Sequence, residues 1–315
     1  MRKRYRRAGG HRPAAESGVA SPSAALTPIL VDYFSRDGST VLMRLLSSSP
    51  EIAIEPVYPF ERKYFAYLWR WSQLAERSDW PEGEWGLPDL GSLDDFREAW
   101  MSGPMPWTPR ELVESGEAGA FGRRVFDLAW EEFSRRATGA TQRLHGSDAP
   151  VRYSAEKHMN TWRVPLENLP EARVVAVLRD PRDSFVSIRA FGDRAGSGFG
   201  GPDATTDAAL LRHVLDRQRE RLRWIAGLDP DQVPVIRYED LVRDLDGVAD
   251  RLGRTLGVRL DPEVVRADAD TRERHRSSAS AEESIGRWRE ELEPEVAAAF
   301  ERELGPELRA LGFAE

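Results

Sequence analysis

A polar loop at residues 35–40 carries the first group of residues whose types and spacing could do chemistry. It separates an apolar, strand-like run at residues 29–34 from a segment of helical character. Gly38 permits close approach of a ligand to the backbone, and the amides at a helix start attract an anion. Ser39 and Thr40 add hydroxyl donors. The combination has the parts of a phosphate cradle.

Arg36 adds a permanent positive charge to this loop, which suits the neutralisation of a leaving phosphate. A helix N-cap by Ser39 or Asp37 with no ligand at all explains the same residues equally well. The nucleotide triphosphatase signature G-x-x-x-x-G-K-[ST] is absent and no lysine stands nearby. A kinase or triphosphatase of that type is therefore disfavoured.

A second polar segment follows the apolar run at residues 174–178. Arg179 ends this predicted strand, and Ser187 lies two turns into the helix that follows. Both side chains could converge on one phosphate, the arginine through its bidentate fork. A weak surface pair between Arg179 and Asp183, with Ser187 as an ordinary helix residue, is the alternative.

Other reactive residue types are scarce. Cysteine is absent, which excludes thiolate catalysis, and five histidines occur without paired spacing, so the sequence offers no support for a metal site. Lysine occurs only at Lys3, Lys63 and Lys157, whereas every other basic residue is arginine. A lysine within the fold of so lysine-poor a chain is a candidate for a specific role.

The elements that must position these residues alternate between strand and helix. The predicted strands are Ile29–Phe34, Val151–Ser154, Arg173–Leu178 and Val233–Ile236. A long amphipathic helix is predicted from Asp207 to Ile225, and the rest of the carboxyl-terminal region is predicted to be helical. This alternation predicts an α/β fold with a parallel sheet covered on both faces, whose ligands lie beyond the carboxyl ends of the strands.

The chain divides into a tail and one domain. Residues 1–27 are predicted to be a disordered basic tail because they are rich in small and basic residues, and residues 28–315 are predicted to form a single domain. Within that domain, residues 60–148 are predicted to be a helical insertion. Seven of the ten tryptophans fall there: Trp69, Trp71, Trp80, Trp85, Trp100, Trp107 and Trp130.

Charge and hydropathy exclude several functional classes. The 315 residues carry a net charge of −8, and the part after residue 28 has 39 basic and 52 acidic residues, a net charge of −13. Such an acidic body argues against nucleic-acid binding. No apolar run approaches the length of a membrane span, and no apolar segment follows the basic amino terminus, so a cytoplasmic location is expected. The oligomeric state stays open.

Taken together, the two polar segments resemble the motifs of the sulfotransferase family that uses 3′-phosphoadenosine 5′-phosphosulfate (PAPS), in its bacterial and carbohydrate-type branch. That family carries R-[ST]-G-[ST]-T-x-L after its first strand and R-D-P-R-D-x-x-x-S later, which are matched here by residues 36–42 and 179–187. Residues 237–241 and 284–288 are also similar to the family. The resemblance runs from about residue 29 to 313, with the middle poorly covered.

The resemblance implies a P-loop-like three-layer α/β/α fold and PAPS as co-substrate, with no metal. The residues expected to bind the 5′-phosphosulfate are Arg36, Asp37, Gly38, Ser39 and Thr40. Arg179 and Ser187 stand in the positions that bind the 3′-phosphate. Arg276 and Arg287 fall in the region that folds over the 3′-phosphate and adenine in relatives, although an ordinary charged loop explains them equally well.

Asp37 departs from the family pattern, which has a small hydroxyl residue or another uncharged residue at this position. A carboxylate beside the phosphosulfate would repel it unless it turns away or pairs with Arg36 or Arg44.

The acceptor needs a base, and two residues compete for that role. Glu55 follows the first helix where several relatives carry a catalytic glutamate, and the apolar residues before it predict partial burial and a raised pKa. A pair with a nearby arginine is the alternative. His158 is the rival, although its register differs from that of the family histidine. Lys157 is predicted to donate to the bridging oxygen of the donor, with a solvated lysine as the alternative.

The tryptophan-rich insertion is where the resemblance places the acceptor. Aromatic faces pack sugars and planar rings alike, so the acceptor could be a hydroxyl or amine of a small molecule, a natural product or a glycan. A nucleotide-dependent phosphotransferase and a PAPS-binding protein without turnover are the alternative functions.

Overall fold

The computed structural model describes residues 25–55, 58–74, 117–159, 161, 172–195, 206–269, 273 and 278–313. Its strands are β1 (Thr27–Tyr33), β2 (Ile52–Ala53), β3 (Tyr153–Met159), β4 (Arg173–Leu178) and β5 (Val235–Arg237). The helices of the amino-terminal half are α1 (Ser39–Leu46), α2 (Tyr64–Leu74) and α3 (Glu117–His145). Those of the carboxyl-terminal half are α4 (Pro181–Ala195), α5 (Asp207–Ala226), α6 (Tyr238–Arg243), α7 (Leu245–Leu256), α8 (Glu263–Ala267), α9 (Trp288–Glu291) and α10 (Pro294–Ala310).

The strands form one parallel sheet in the order β2-β3-β1-β4-β5. The central strand β1 pairs with β3 on one side and with β4 on the other. The loops after β1 and β4 and the end of β3 therefore meet at one edge of the sheet. This is the edge at which the strand order reverses, where ligands of parallel sheets bind.

Helices cover both faces, so the fold has three layers. Ile29 and Val31 of β1 pack with α1 and α7, whereas Leu30, between them, faces α2 and α3. Helices α4, α5 and α10 pack against Leu178 and its neighbours in β4. The alternation follows from the pleat of a strand buried on both sides. The predicted α/β/α architecture is confirmed.

Leu26 and Thr27, which the sequence prediction assigned to the tail, are part of the described domain. Leu26 is buried, its amide donates to Ser134 Oγ at 3.0 Å, and its carbonyl accepts from Trp130 Nε1 at 2.9 Å. Strand β1 itself begins at Thr27. The last residues assigned to the tail thus belong to the first strand and its anchor.

No helix within the described residues is both long and apolar enough to span a membrane.

Candidate functional site

The loop after β1 turns sharply through two left-handed residues. Arg36 has φ 68° and Gly38 has φ 99°, and α1 begins at the next residue, Ser39. A Cβ on Gly38 would lie 2.7 Å from Cδ2 of Tyr238, so the backbone and this ring are in close contact. Gly38 is also the N-cap residue of α1, and it offers no side chain to the first amides of that helix. The loop therefore presents backbone donors and an arginine at one edge of the sheet.

Asp37 points into the protein interior. Its carboxylate accepts from the amides of Phe34 at 2.6 Å and Ser39 at 3.2 Å, and Oδ2 lies 3.6 Å from Nη2 of Arg221. Burial raises the pKa of Asp37 to about 6, and the charge of Arg221 opposes that rise. Asp37 therefore turns away, which was one of the arrangements left open from the sequence, and the arginine that it approaches is Arg221.

The two predicted phosphate motifs meet in space. Nε of Arg36 donates to Oγ of Ser187 at 3.1 Å, and Nη1 of Arg179 donates to the carbonyl of Arg36 at 2.8 Å. Asp183 is engaged elsewhere, because its carboxylate accepts from the amides of Gly286 at 2.6 Å and Trp288 at 3.0 Å. Asp183 thus ties the segment after residue 284 to the start of α4.

Arg179 is enclosed by carboxyl-terminal elements. Its Nη2 donates to the carbonyl of Ser284 at 2.7 Å, and its guanidinium lies 4.2 Å from the centre of the Tyr238 ring. The hydroxyls of Tyr238 and Ser284 are 2.8 Å apart. Nε of Arg179 is buried without a hydrogen-bond partner among the described residues.

Positive charge is concentrated here. The pKa of Arg36 is lowered to about 10, first by burial and then by the positive charge of Arg179. A half-buried guanidinium beside the buried guanidinium of Arg179 is a suitable site for an anion with several charges, because the anion would offset their like charges.

Lys157 belongs to the same site. Its Nζ donates to Oγ1 of Thr40 at 2.8 Å and lies 3.5 Å from Oε1 of Glu61. The side chain is only 2% exposed, and burial lowers its pKa. The solvated lysine that the sequence left open is thereby excluded. Lys157 lies within β3, which continues to Met159, whereas the sequence predicted that the strand would end at Ser154.

His158 is buried on the opposite side of β3 from Lys157, because successive strand residues point to opposite faces. Its Nδ1 lies 3.0 Å from Oγ1 of Thr161, and burial, with a smaller contribution from Lys63, lowers its pKa to about 3. The ring is therefore neutral near pH 7 and a weak proton acceptor.

Glu55 is exposed, so the expectation of partial burial is wrong. Its side chain is 41% exposed and lies 3.2 Å from Nη1 of Arg62, the pairing that was left open as an alternative. The cause is local: β2 ends at Ala53, and Glu55 extends beyond it without a covering element in the described residues.

Of the two remaining arginines predicted for the site, the structure describes Arg287 only. Arg287 forms a bidentate pair with Glu291, both contacts at 2.7 Å. Arg276 lies outside the described residues. In the predicted insertion, Trp69 of α2 and Trp130 of α3 pack in the core, and the side chains of the other five tryptophans are outside the described part.

Several site residues were missed by reasoning from sequence: Glu61, Tyr238, Ser284, Asp32 and Arg221. Tyr238 and Ser284 lie in stretches already noted as similar to the family, so that similarity was a usable signal for them. Within the described residues, no group of three or more His, Cys, Asp or Glu side chains could hold a metal ion.

Comparison with known families gives one match over most of the chain. The model described as "Sulfotransferase family" matches residues 28–262. No curated protein matches the sequence.

Three solved structures illustrate the level of similarity between this chain and proteins of known structure. A sulfotransferase from Alicyclobacillus acidocaldarius has 17% identity and a TM-score of 0.43, covering 93% of this chain and 95% of that one. Retinol dehydratase, solved with androsterone and the inactive cofactor PAP, has 16% identity and a TM-score of 0.42, covering 90% and 81%. The sulfotransferase domain from the curacin biosynthetic pathway has 17% identity and a TM-score of 0.40, covering 89% and 97%.

Proposed function

This chain belongs to the sulfotransferase family, and on that premise we propose that it transfers a sulfuryl group from PAPS to a hydroxyl or amine of a small-molecule, natural-product or glycan acceptor. The observation that carries the proposal is the meeting of the loop after β1 with the segment after β4. The hydrogen bonds from Arg36 to Ser187 and from Arg179 to the Arg36 carbonyl join them.

The charges of the site fit a doubly phosphorylated nucleotide. Arg179 and Ser187 are proposed to hold the 3′-phosphate, and the unpartnered Nε of Arg179 is a donor available for it. Arg36 and the loop from Gly38 to Thr40 are proposed to hold the 5′-phosphosulfate. Because Asp37 is turned inward, its carboxylate does not face this loop's ligand side.

The proposed reaction breaks the bond between sulfur and the 5′-phosphate oxygen and forms a bond between sulfur and the acceptor oxygen or nitrogen. Sulfuryl transfer resembles phosphoryl transfer, so positioning and charge neutralisation supply most of the catalysis. The guanidinium of Arg36 neutralises the negative charge that develops on the leaving 5′-phosphate. Lys157, held at Thr40, is proposed to donate a hydrogen bond to the bridging oxygen as negative charge develops there.

The acceptor proton must pass to a base, and the geometry favours Glu61. Its carboxylate lies 3.5 Å from Lys157 Nζ and is 49% exposed, so an acceptor can reach it from solvent beside the loop. Glu55 pairs with the exposed Arg62 and, among the described residues, not with a residue bonded to the loop after β1, and this makes it the weaker candidate. His158 has a pKa lowered to about 3 and is buried, so it is the weakest.

The proposal is tested by ligand binding and by transfer of label. Thermal-shift titration with adenosine 3′,5′-bisphosphate (PAP) and with ATP comes first, and PAP is expected to stabilise the protein more. Protection by ATP alone would instead indicate a phosphotransferase. Incubation with ³⁵S-labelled PAPS and a panel of phenols, amines and oligosaccharides is expected to give a labelled product, whereas binding without any transfer would indicate a protein that only holds the donor.

Three glutamate variants then assign the base. With an acceptor from the panel, Glu61→Gln is expected to lower kcat by about 10²-fold or more while the Kd for PAP stays within about twofold. Glu51→Gln is the matched control, because Glu51 also pairs with a basic residue, Arg152, but at the opposite edge of the sheet. A larger loss in Glu55→Gln than in Glu61→Gln would return the role to Glu55.

A further inference from the structure

A buried charge cluster lies directly beneath the loop after β1. Nε of Arg221, from α5, donates to Oδ2 of Asp32 at 2.8 Å, and its Nη2 lies 3.6 Å from Oδ2 of Asp37. The same Nη2 donates to the carbonyl of Val177 near the end of β4. The three charged side chains are almost completely excluded from solvent. One guanidinium therefore joins β1, β4 and the loop.

Charge neutrality does not explain why this cluster contains Asp37. Asp32 alone would balance Arg221, and the second buried carboxylate leaves one negative charge in excess when all three groups are ionised. Burial raises the pKa of both aspartates, which shows that each carboxylate is unfavourable there. The presence of the Asp37 carboxylate, at a position where the family carries an uncharged residue, must therefore be explained by another interaction.

That role is visible in the backbone of the loop. The Asp37 carboxylate accepts from the amides of Phe34 and Ser39, which lie on either side of the turn. Between them Arg36 is left-handed although it is not glycine, a conformation that a non-glycine residue keeps only when its surroundings hold it. In this conformation the Arg36 guanidinium reaches Ser187 and its carbonyl reaches Arg179.

We propose that Asp37 and Arg221 are positioning residues of the donor site: their buried ion pair holds the loop in the turn from which Arg36 connects to Ser187 and Arg179. The proposal rests on the function proposed above, because it takes a nucleotide with 3′- and 5′-phosphates as the ligand. It assigns Asp37 to the support of the loop rather than to direct contact with the donor. A small hydroxyl at position 37 could not replace it, because it has one acceptor atom and no charge for Arg221.

Two substitutions at position 37 test this proposal. In Asp37→Asn and Asp37→Ser the balanced pair of Asp32 and Arg221 remains, so both variants are expected to fold, with a lower Tm because the amides of Phe34 and Ser39 lose their charged acceptor. Loss of a charged hydrogen-bond acceptor is expected to weaken PAP binding about tenfold in isothermal titration calorimetry. Asp244→Asn is the matched control, because Asp244 also accepts a backbone amide and pairs with an arginine, but at the exposed start of α7.

The ratio of the affinities for PAP and adenosine 5′-phosphate distinguishes a positioning role of Asp37 from a general loss of structure in the site. Arg36 is tied to the two residues proposed for the 3′-phosphate, so the Asp37 variants are expected to lose affinity for PAP more than for adenosine 5′-phosphate. A structural defect would weaken both ligands by the same factor. Arg221→Lys keeps the positive charge but cannot contact Asp32, Asp37 and the Val177 carbonyl at once. It is also expected to lose affinity for PAP more than for adenosine 5′-phosphate.

The outcomes are distinct. If the wild type binds PAP and Asp37→Ser binds it equally well, this inference is overturned while the proposed function stands. Equal loss for PAP and adenosine 5′-phosphate would also overturn it. If the wild type does not bind PAP, the proposed function fails, and the inference fails with it.

Discussion

Replacement of Gly38 by alanine is a sharp test of the loop geometry. The backbone there has φ 99°, and a Cβ would lie 2.7 Å from Cδ2 of Tyr238 and 3.4 Å from Cδ1 of Leu241. The left-handed conformation costs an alanine about 1–2 kcal/mol. Overpacking against a ring adds about 1–3 kcal/mol. We therefore expect Gly38→Ala to lower the free energy of unfolding by roughly 2–5 kcal/mol in urea denaturation.

The effect on binding follows from what Tyr238 contacts. Its ring lies 4.2 Å from the Arg179 guanidinium and its hydroxyl lies 2.8 Å from that of Ser284. Displacing the ring disturbs a cation–π contact and a hydrogen bond worth together about 1–3 kcal/mol. Because the displaced ring no longer supports Arg179, we expect PAP binding to weaken by about fivefold or more in calorimetry.

Gly146→Ala is the matched control for backbone strain. Gly146 has φ 58°, and a Cβ there would meet nothing within 4 Å. We expect this variant to lose only about 1–2 kcal/mol of stability and no PAP affinity. Equal stability losses in the two variants, or wild-type PAP affinity in Gly38→Ala, would refute the reasoning.

Three further predictions concern charged residues. Arg179→Ala is expected to weaken PAP binding by about 10²-fold or more, because it removes both the charge and the hydrogen bonds of the guanidinium. Arg179→Lys is expected to weaken binding less, because it keeps the charge and loses only the bidentate geometry. Wild-type affinity in calorimetry would contradict the 3′-phosphate assignment. Lys157→Met is expected to lower kcat at saturating PAPS far more than it changes the Kd for PAP, and an unchanged kcat would remove Lys157 from the reaction. Burial raises the pKa of Glu156 from 4.5 to about 7, so the folded protein holds this proton where the unfolded chain has released it. Its contribution makes stability fall as the pH rises from about 4.5 to 7, and Glu156→Gln is expected to flatten urea-derived stabilities between pH 5 and 7; the same slope in both proteins would contradict this assignment.

The central architecture could be predicted from sequence because its signals are local. The apolar runs of β1 and β4 are buried on both faces, and each is followed by a polar loop and a helix start. Periodicity alone detects such segments. The same locality explains why the long helix α5 was predicted within one residue of its end.

Strand β3 was predicted poorly because it buries charged and polar side chains. Its sequence contains Glu156, Lys157 and His158 in succession, all buried, and buried charges break the apolar pattern by which strands are recognised. Strand β2 was missed because it has only two residues and is defined by its pairing with β3.

The partners of charged residues could not be predicted, because they are set by tertiary contacts. Arg221 of α5 meets Asp37 of the loop after β1 although the two are far apart in sequence, and no local pattern relates them. Glu55 and Glu61 lie six residues apart in the same segment, which also contains Arg62 and Lys63. Only the path of the chain after β2 decides that Glu61 approaches Lys157 while Glu55 faces Arg62.

The most direct measurement is a crystal structure of the protein with bound PAP. The account predicts the 3′-phosphate within hydrogen-bond distance of Arg179 and Ser187, and the 5′-phosphate at the loop from Gly38 to Thr40 near Lys157. A nucleotide bound elsewhere, or bound here with its phosphates distant from both segments, would contradict the account.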